Sequence, residues 1–505
     1  MSRLRQLAGQ TVIYGLTSIL GKLINYLLTP LLTDVFEPEA YGVQSVLYSY
    51  IAIALALLTF GMETAMFRFS GLEHADKRKV FATAQNFVTL VSAVFLASVF
   101  IFARPIAGVL GYPKHTDYVI LFSLIIFLDA LSSVPLAKLR EENKPGTFAL
   151  INILNILINF GLVVFFLVYC RGLYLKGGEE GLGIWSAVYD HDKGVAYVFI
   201  ANIVASGIKF LMLTPVIFRY GMRNDTALLR QMLVYAVPLA IGALAYIINE
   251  KADLIFLKQL LPAAEGDEQA GIYGACYKLA LLLTIFIQAF RYAAEPFFFS
   301  MNKDTDTRHT LALVMDYFVW FCLLIFLVVA LYVDVFKWIF LRNSAYWSGI
   351  DIVPVLLIAN LYNGIYQNLS MWYKISGKTL YGMYFSIVGA LFTIILNMMF
   401  IPLWGFRGSA WATLICYAAM SGISYLVGQR YYAVPYRFGR LHQYILGCII
   451  FYGITRFIPA DRPLLYYFTA TAGIIVYVLW LIKNERTLQT LIRKIAEKYG
   501  SKNTK

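Results

Sequence analysis

About fourteen apolar runs of roughly 20 residues each follow one another along this chain, and together they rule out a fold built in water. A helix rises 1.5 Å per residue, so each run is long enough to cross a hydrocarbon core of about 30 Å once. The runs lie near 11–33, 43–67, 80–103, 117–137, 147–170, 195–218, 229–257, 271–299, 309–333, 351–373, 380–402, 408–429, 441–458 and 464–482. Lipid offers backbone N–H and C=O groups no hydrogen-bond partner, so runs of this length predict helices and an all-α integral membrane protein. Composition agrees, because only 14% of the residues are charged and 60% are hydrophobic. The first run carries Lys22 and Asn25 and lacks a small-residue cleavage site, so it reads as helix one of the mature protein and not as a signal peptide.

The basic residues set the expected orientation. With the N-terminus inside, the inner segments carry about 26 of the 42 Lys and Arg, and the outer loops about 11. Arg3, Arg5, Lys77, Arg78, Lys79, Lys138, Arg140, Lys144, Arg219, Arg223, Arg230, Arg437 and Arg440 all fall inside. Both termini are therefore expected to be cytoplasmic. The net charge of +13 follows from this bias, so it is not read as a nucleic-acid footprint. The five cysteines show no C-x-x-C and no metal spacing, and the five histidines sit in loops or at run ends. No disulfide framework, metal site or cofactor is expected.

The chain repeats itself weakly at an offset of about 232 residues. Tyr41-Gly42 corresponds to Tyr273-Gly274 and Glu63 to Glu295, and, after a shorter connection in the second half, Gly194-Val-Ala-Tyr197 to Gly408-Ser-Ala-Trp411. The repeat divides the chain into a first lobe over 1–220 (helices one to six) and a second over 221–432 (helices seven to twelve). An added pair over 433–485 (helices thirteen and fourteen) and a basic cytoplasmic tail over 486–505 follow. Lobes of six spans start on the same side, which predicts a pseudo-twofold axis along the membrane normal and a cavity between them. The longest connection in the first lobe, Arg171 to Lys193, has no room for a soluble catalytic domain, which argues against an enzyme.

Charges within spans are expensive and by default face a bundle interior or a watery cavity. Thr11, Gly15, Ser18, Lys22, Asn25 and Thr29 recur at helical spacing in helix one, and Thr284, Gln288, Arg291 and Glu295 do so in helix eight. Helix seven carries Tyr246, Glu250 and Asp253 on one side, with Lys251 about 100° away, and helix ten carries Asn360, Asn363, Gln367, Ser370 and Lys374. Lys22, Asn25, Lys251, Gln288 and Arg291 are the candidate cavity residues that meet substrate. Glu250, Asp253, Glu295 and Glu63 are the candidates for ion coupling or charge pairing, and Arg291 can reach Glu295 four residues on. Helix packing by small polar residues competes with this reading for the Thr, Ser and Gly members. Glu63 and Arg68 lie near an inner helix end where snorkelling is cheap, and Lys209 and Lys278 are expected to reach an interface. Gly377-Lys378-Thr379 imitates the end of a P-loop, but Trp372 stands where its first glycine belongs and no strand precedes it. Energy is then expected from an ion or substrate gradient, not from ATP.

The stretch Asn397-Met-Met-Phe-Ile-Pro402-Leu-Trp-Gly405-Phe-Arg-Gly408-Ser-Ala-Trp-Ala-Thr413, with Gly377-Lys378-Thr379 before it, resembles the Wzx-type polysaccharide transporter or oligosaccharide flippase family of the multidrug/oligosaccharidyl-lipid/polysaccharide (MOP) exporter superfamily. Pro30, Glu39-Ala-Tyr41-Gly42 and Gly61-Met-Glu-Thr-Ala-Met-Phe67-Arg68 fit the same family, as do Asp253 and Gly271-Ile-Tyr273. Thr33-Asp34 stand where many relatives place a base, so that contact does not carry over. The resemblance implies a MATE-like fold and export of a polyprenyl-pyrophosphate-linked oligosaccharide across a bacterial inner membrane. It also implies H+ or Na+ coupling as an open pair, membrane lipids as surroundings, and a polysaccharide polymerase and glycosyltransferases as partners. A peptidoglycan-precursor flippase is the second reading, followed by a drug/cation antiporter and then a membrane polymerase or glycosyltransferase.

Overall fold

The computed structural model describes residues 2–220, 225–300, 305–459 and 461–484, and the basic tail over 486–505 lies outside them. Among the described residues every regular element is helical. Fourteen are long: α1 (Ser2–Val35), α2 (Pro38–Thr59), α3 (Lys77–Val109), α4 (Thr116–Glu141), α5 (Pro145–Val164), α6 (Ala196–Tyr220), α7 (Thr226–Leu260), α8 (Ala263–Ser300), α9 (Thr305–Leu331), α10 (Val353–Leu369), α11 (Leu380–Trp404), α12 (Phe406–Tyr431), α13 (Phe438–Thr455) and α14 (Pro463–Asn484). Among the described residues twelve spans are long and apolar enough to cross a membrane, and α1 and α13 pack on them. Ile101, Val109, Leu211, Phe218, Leu403, Phe457 and Phe468 are all more than half exposed, a surface suited to hydrocarbon and not to water.

Short connections make successive helices antiparallel. α1 therefore begins, and α14 ends, on one face of the bundle, here called the terminal face; the opposite face is distal. In the first group α3 packs on α4, α4 on α6, α6 on α5 and α5 on α1. In the second α7 packs on α11, α11 on α12, α12 on α10 and α10 on α8. The groups meet where α2 packs on α7 and α8 and where α1 packs on α8, while α13 and α14 pack on α9. This is a two-lobe bundle with its seam at helices one, two, seven and eight.

Two segments differ from the expected spans. The second run breaks at Phe60 (φ 46°) and Gly61 (φ 69°), and a short helix, Met62–Ser70, continues at a new angle. The break admits α7, because the position a side chain would take at Gly61 lies 3.3 Å from the Ala236 carbonyl. The connection after α5 is not a plain loop: a π-helical turn, Phe165–Cys170, carries the chain into a helix at Arg171–Leu182, kinked at Gly177 and Gly178.

The distal end of the seam is shut by close backbone packing. A β-carbon added at Gly42 would overlap the Asp267 carbonyl, and one at Gly271 would overlap that of Pro38. Glycine at both positions is what lets α2 and α8 cross this tightly.

Candidate functional site

Between the lobes lies a cavity of about 350 Å³, lined by Asn25 of α1, Ser45 of α2, Asn155 and Asn159 of α5, Asn202 of α6, Glu250 and Lys251 of α7 and Lys278 of α8. Both lobes therefore contribute polar walls. Glu250 and Lys251 form an ion pair at 3.3 Å and are each about a third exposed. Lys22 is exposed and lies within electrostatic reach of Glu250, Lys251 and Arg291. The expected cluster of Lys22, Asn25, Glu250, Lys251 and Arg291 thus does converge on the seam. Gln288 is part-buried on α8 and donates to the Tyr292 hydroxyl at 3.4 Å. The side chains of Thr11 and Ser18 lie outside the described part of the structure.

Three placements, of Glu295, Lys209 and Lys278, differ from the sequence reading because of neighbours that sequence distance hides. Glu295 pairs not with Arg291 but with Lys374 beyond the end of α10, at 2.6 Å. Glu63, a candidate for ion coupling or charge pairing, binds Arg140 at 2.9 Å across the terminal face of the first lobe. Lys209 does not snorkel: it is buried and bonded to Asp129 at 2.6 Å, with Ser206 also donating to that carboxylate at 2.7 Å. Lys278 lines the cavity instead of reaching an interface.

Asp253 lines the same cavity, is only 4% exposed, and is held by side chains of the second lobe. It accepts hydrogen bonds from Tyr273 at 2.7 Å, Thr413 at 2.7 Å and Asn397 at 2.9 Å. Ser409 donates to Asn397 at 2.7 Å, and one turn along Thr393 donates to Asn249 at 2.6 Å. The pairs Asn249/Asp253, Thr393/Asn397 and Ser409/Thr413 each have i, i+4 spacing, which aims three helix faces at one point. Among the described residues no Lys, Arg or His pairs with Asp253, whereas Asp129 in the first lobe has Lys209. Sequence reasoning missed Asn249, Thr393, Asn397, Ser409 and Thr413 as a group; their shared four-residue spacing was the available signal.

The distal closure has polar latches as well. Lys258 and Asp267 form a buried pair at 2.5 Å, and Tyr112 of the other lobe donates to Asp267 at 2.8 Å. Tyr112 lies in the loop after α3, where burial and the neighbouring carboxylate push its phenol well above the usual range, so it stays a donor. Asn343 donates to Glu37 at 3.0 Å, and the Thr33 hydroxyl donates to the Phe340 carbonyl at 3.0 Å. A second cavity, of about 360 Å³, opens toward the terminal face between α7, α10 and α11, and contains Arg291 and Lys374.

A family model described as polysaccharide biosynthesis protein matches residues 7–302, more than half of the chain. The chain belongs to this family. Its relative "Lsg locus putative protein 1" of Haemophilus influenzae is 21% identical over 299 residues, which cover 58% of this chain and 66% of that protein. The match thus spans just under two thirds of that relative's length. Among solved structures, the lipid II flippase MurJ in an inward closed conformation superposes with a TM-score of 0.67 at 14% identity, covering 94% of this chain and 99% of that one. An inward-facing multidrug resistance MATE family transporter of the MOP superfamily gives 0.59 at 15% identity, covering 84% and 96%. This member of the polysaccharide biosynthesis protein family is therefore a multi-pass membrane protein with the fold of MOP transporters.

Proposed function

We propose that the protein moves a polyprenyl-pyrophosphate-linked oligosaccharide, an O-antigen, capsule or exopolysaccharide repeat unit, from the inner to the outer leaflet of a bacterial cytoplasmic membrane by alternating access. The observation that carries this reading is the seam: a polar cavity walled by both lobes, with hydrogen-bonded latches and a glycine crossing at its distal end. Rocking of one lobe on the other would release Tyr112, Asn343 and the glycine crossing and expose the cavity distally. The terminal face is cytoplasmic in this reading, as the basic-residue bias requires. Glycosyltransferases would then supply cargo at the terminal face and a polymerase would consume it at the distal face. The units over 1–220, 221–432 and 433–485 are the moving lobes and an added pair beside α9.

The test is transfer by purified protein in liposomes carrying a fluorescent lipid-linked oligosaccharide, with loss of signal to an external quencher as the readout. Transfer of the oligosaccharide carrier is expected, and its absence with folded protein overturns the reading. The extent of the MurJ superposition favours a peptidoglycan precursor as the second cargo to try in the same assay.

Coupling to H+ or Na+ is assigned to Asp253, because it is a buried carboxyl surrounded by oxygen and amide groups with no built-in cation. Asp253→Asn is expected to leave transfer indifferent to an imposed H+ or Na+ gradient, where the parent protein speeds up severalfold. A variant that still follows the gradient removes Asp253 from this role.

A further inference from the structure

The two cavities differ in charge. The central one is walled by Glu250 and Asp253 as well as Lys251 and Lys278, so its formal charges balance. The one toward the terminal face is walled by Arg291 and Lys374 and by no carboxylate among the described residues. Its remaining polar lining is largely hydroxyl, from Tyr246, Ser370, Tyr373 and Ser386. The first turn of the 25-residue helix α11 also faces it, and Thr379 at that N-terminus makes no side-chain cap. A guanidinium fork and an ammonium favour an anion, and the positive end of the helix dipole adds to them. Leu239 and Leu380 line the same pocket and are 37% and 53% exposed, which gives it an apolar side. Glu295 stands outside this lining and holds Lys374 at 2.6 Å in a pair whose members are each about a third exposed.

We propose that this pocket, between α7, α10 and the start of α11, is the loading site for the phosphate-bearing end of a prenyl lipid, and that Glu295 is a resident carboxylate that holds Lys374 until phosphate displaces it. The inference rests on the lipid-linked cargo proposed above. It separates the anion, bound at a net-positive pocket near the terminal face, from the sugars, which meet the neutral asparagine-rich cavity. Removing the carboxylate would leave two unopposed cations, so loading would tighten and release would slow.

The experiment is binding of geranylgeranyl diphosphate to the purified full chain in detergent by titration calorimetry, beside geranylgeraniol, inorganic pyrophosphate and a short-chain phosphatidylglycerol. The prenyl diphosphate is expected to bind, the alcohol not to bind, and pyrophosphate and phosphatidylglycerol to bind at least tenfold more weakly. Lys374→Ala is expected to weaken binding about tenfold, Lys374→Arg to restore most of it, and Glu295→Gln to tighten it severalfold. The pair Lys374→Ala with Glu295→Ala leaves no unmatched charge to disturb folding and is expected to bind as weakly as Lys374→Ala alone. Unchanged affinity in the Lys374 variants overturns the site. Equal affinity for phosphatidylglycerol makes it an ordinary phospholipid site and overturns the carrier assignment, and equal affinity for pyrophosphate overturns the prenyl part. If these tests fail while liposomes still transfer oligosaccharide carrier, the loading site alone is wrong. If Lys374-dependent binding is found without transfer, the transport reading is wrong and the site stands.

Discussion

Arg291→Ala is expected to cut transfer of lipid-linked oligosaccharide about tenfold to a hundredfold at matched membrane abundance, with Arg291→Lys recovering only part. A charge-assisted hydrogen bond in a poorly hydrated site contributes about 1.5–3 kcal/mol, which sets that range. The guanidinium lines the pocket near the terminal face and lies within electrostatic reach of Lys22 on α1 and Tyr246 on α7. A lysine keeps the charge but loses the planar fork that matches two phosphate oxygens. Sequence spacing alone pairs Arg291 with Glu295, in which case removing both would restore activity. The structure gives Glu295 to Lys374, so Arg291→Ala with Glu295→Ala is expected to stay as inactive as Arg291→Ala. A fully active double variant would show that Arg291 serves only to balance Glu295.

Gly42→Leu is expected to prevent distal closure. Even a β-carbon at Gly42 overlaps the Asp267 backbone, which cannot swing aside as a side-chain tip can. Overpacking a tight contact costs about 1–3 kcal/mol, which moves a two-state equilibrium by roughly five- to a hundredfold. The affected state is the distally closed one. Transfer should fall at least tenfold, and a cysteine placed at Ser45, in the cavity wall, should react severalfold faster with a membrane-impermeant thiol reagent added from the distal side. The five native cysteines are buried and give a quiet background. Parental labelling and parental transfer in this variant would mean that the α2–α8 crossing takes no part in gating.

The helical, multi-pass character and the two-lobe order were legible because lipid imposes them one helix at a time. A run of about 20 apolar residues has one stable form in hydrocarbon, whatever its neighbours do. The same local rule brought Lys22, Asn25, Glu250, Lys251 and Arg291 forward as polar groups within spans; Asn25, Glu250 and Lys251 line the seam cavity, and Lys22 lies within electrostatic reach of Glu250, Lys251 and Arg291. It could not assign their partners. Glu295 finds Lys374, Lys209 finds Asp129, and Asp253 finds Tyr273, Asn397 and Thr413 because of how each helix is rotated and which helix lies beside it. Glu250 and Asp253, three residues apart, share one helix face and line the same cavity, yet only Asp253 meets Tyr273, Asn397 and Thr413, because those helices lie beside its end of that face. Helix formation in a membrane is settled by contacts within one segment, whereas the pairing of buried charges is settled by packing between segments far apart in the chain, and that pairing divides this protein into a neutral central cavity and a cationic pocket.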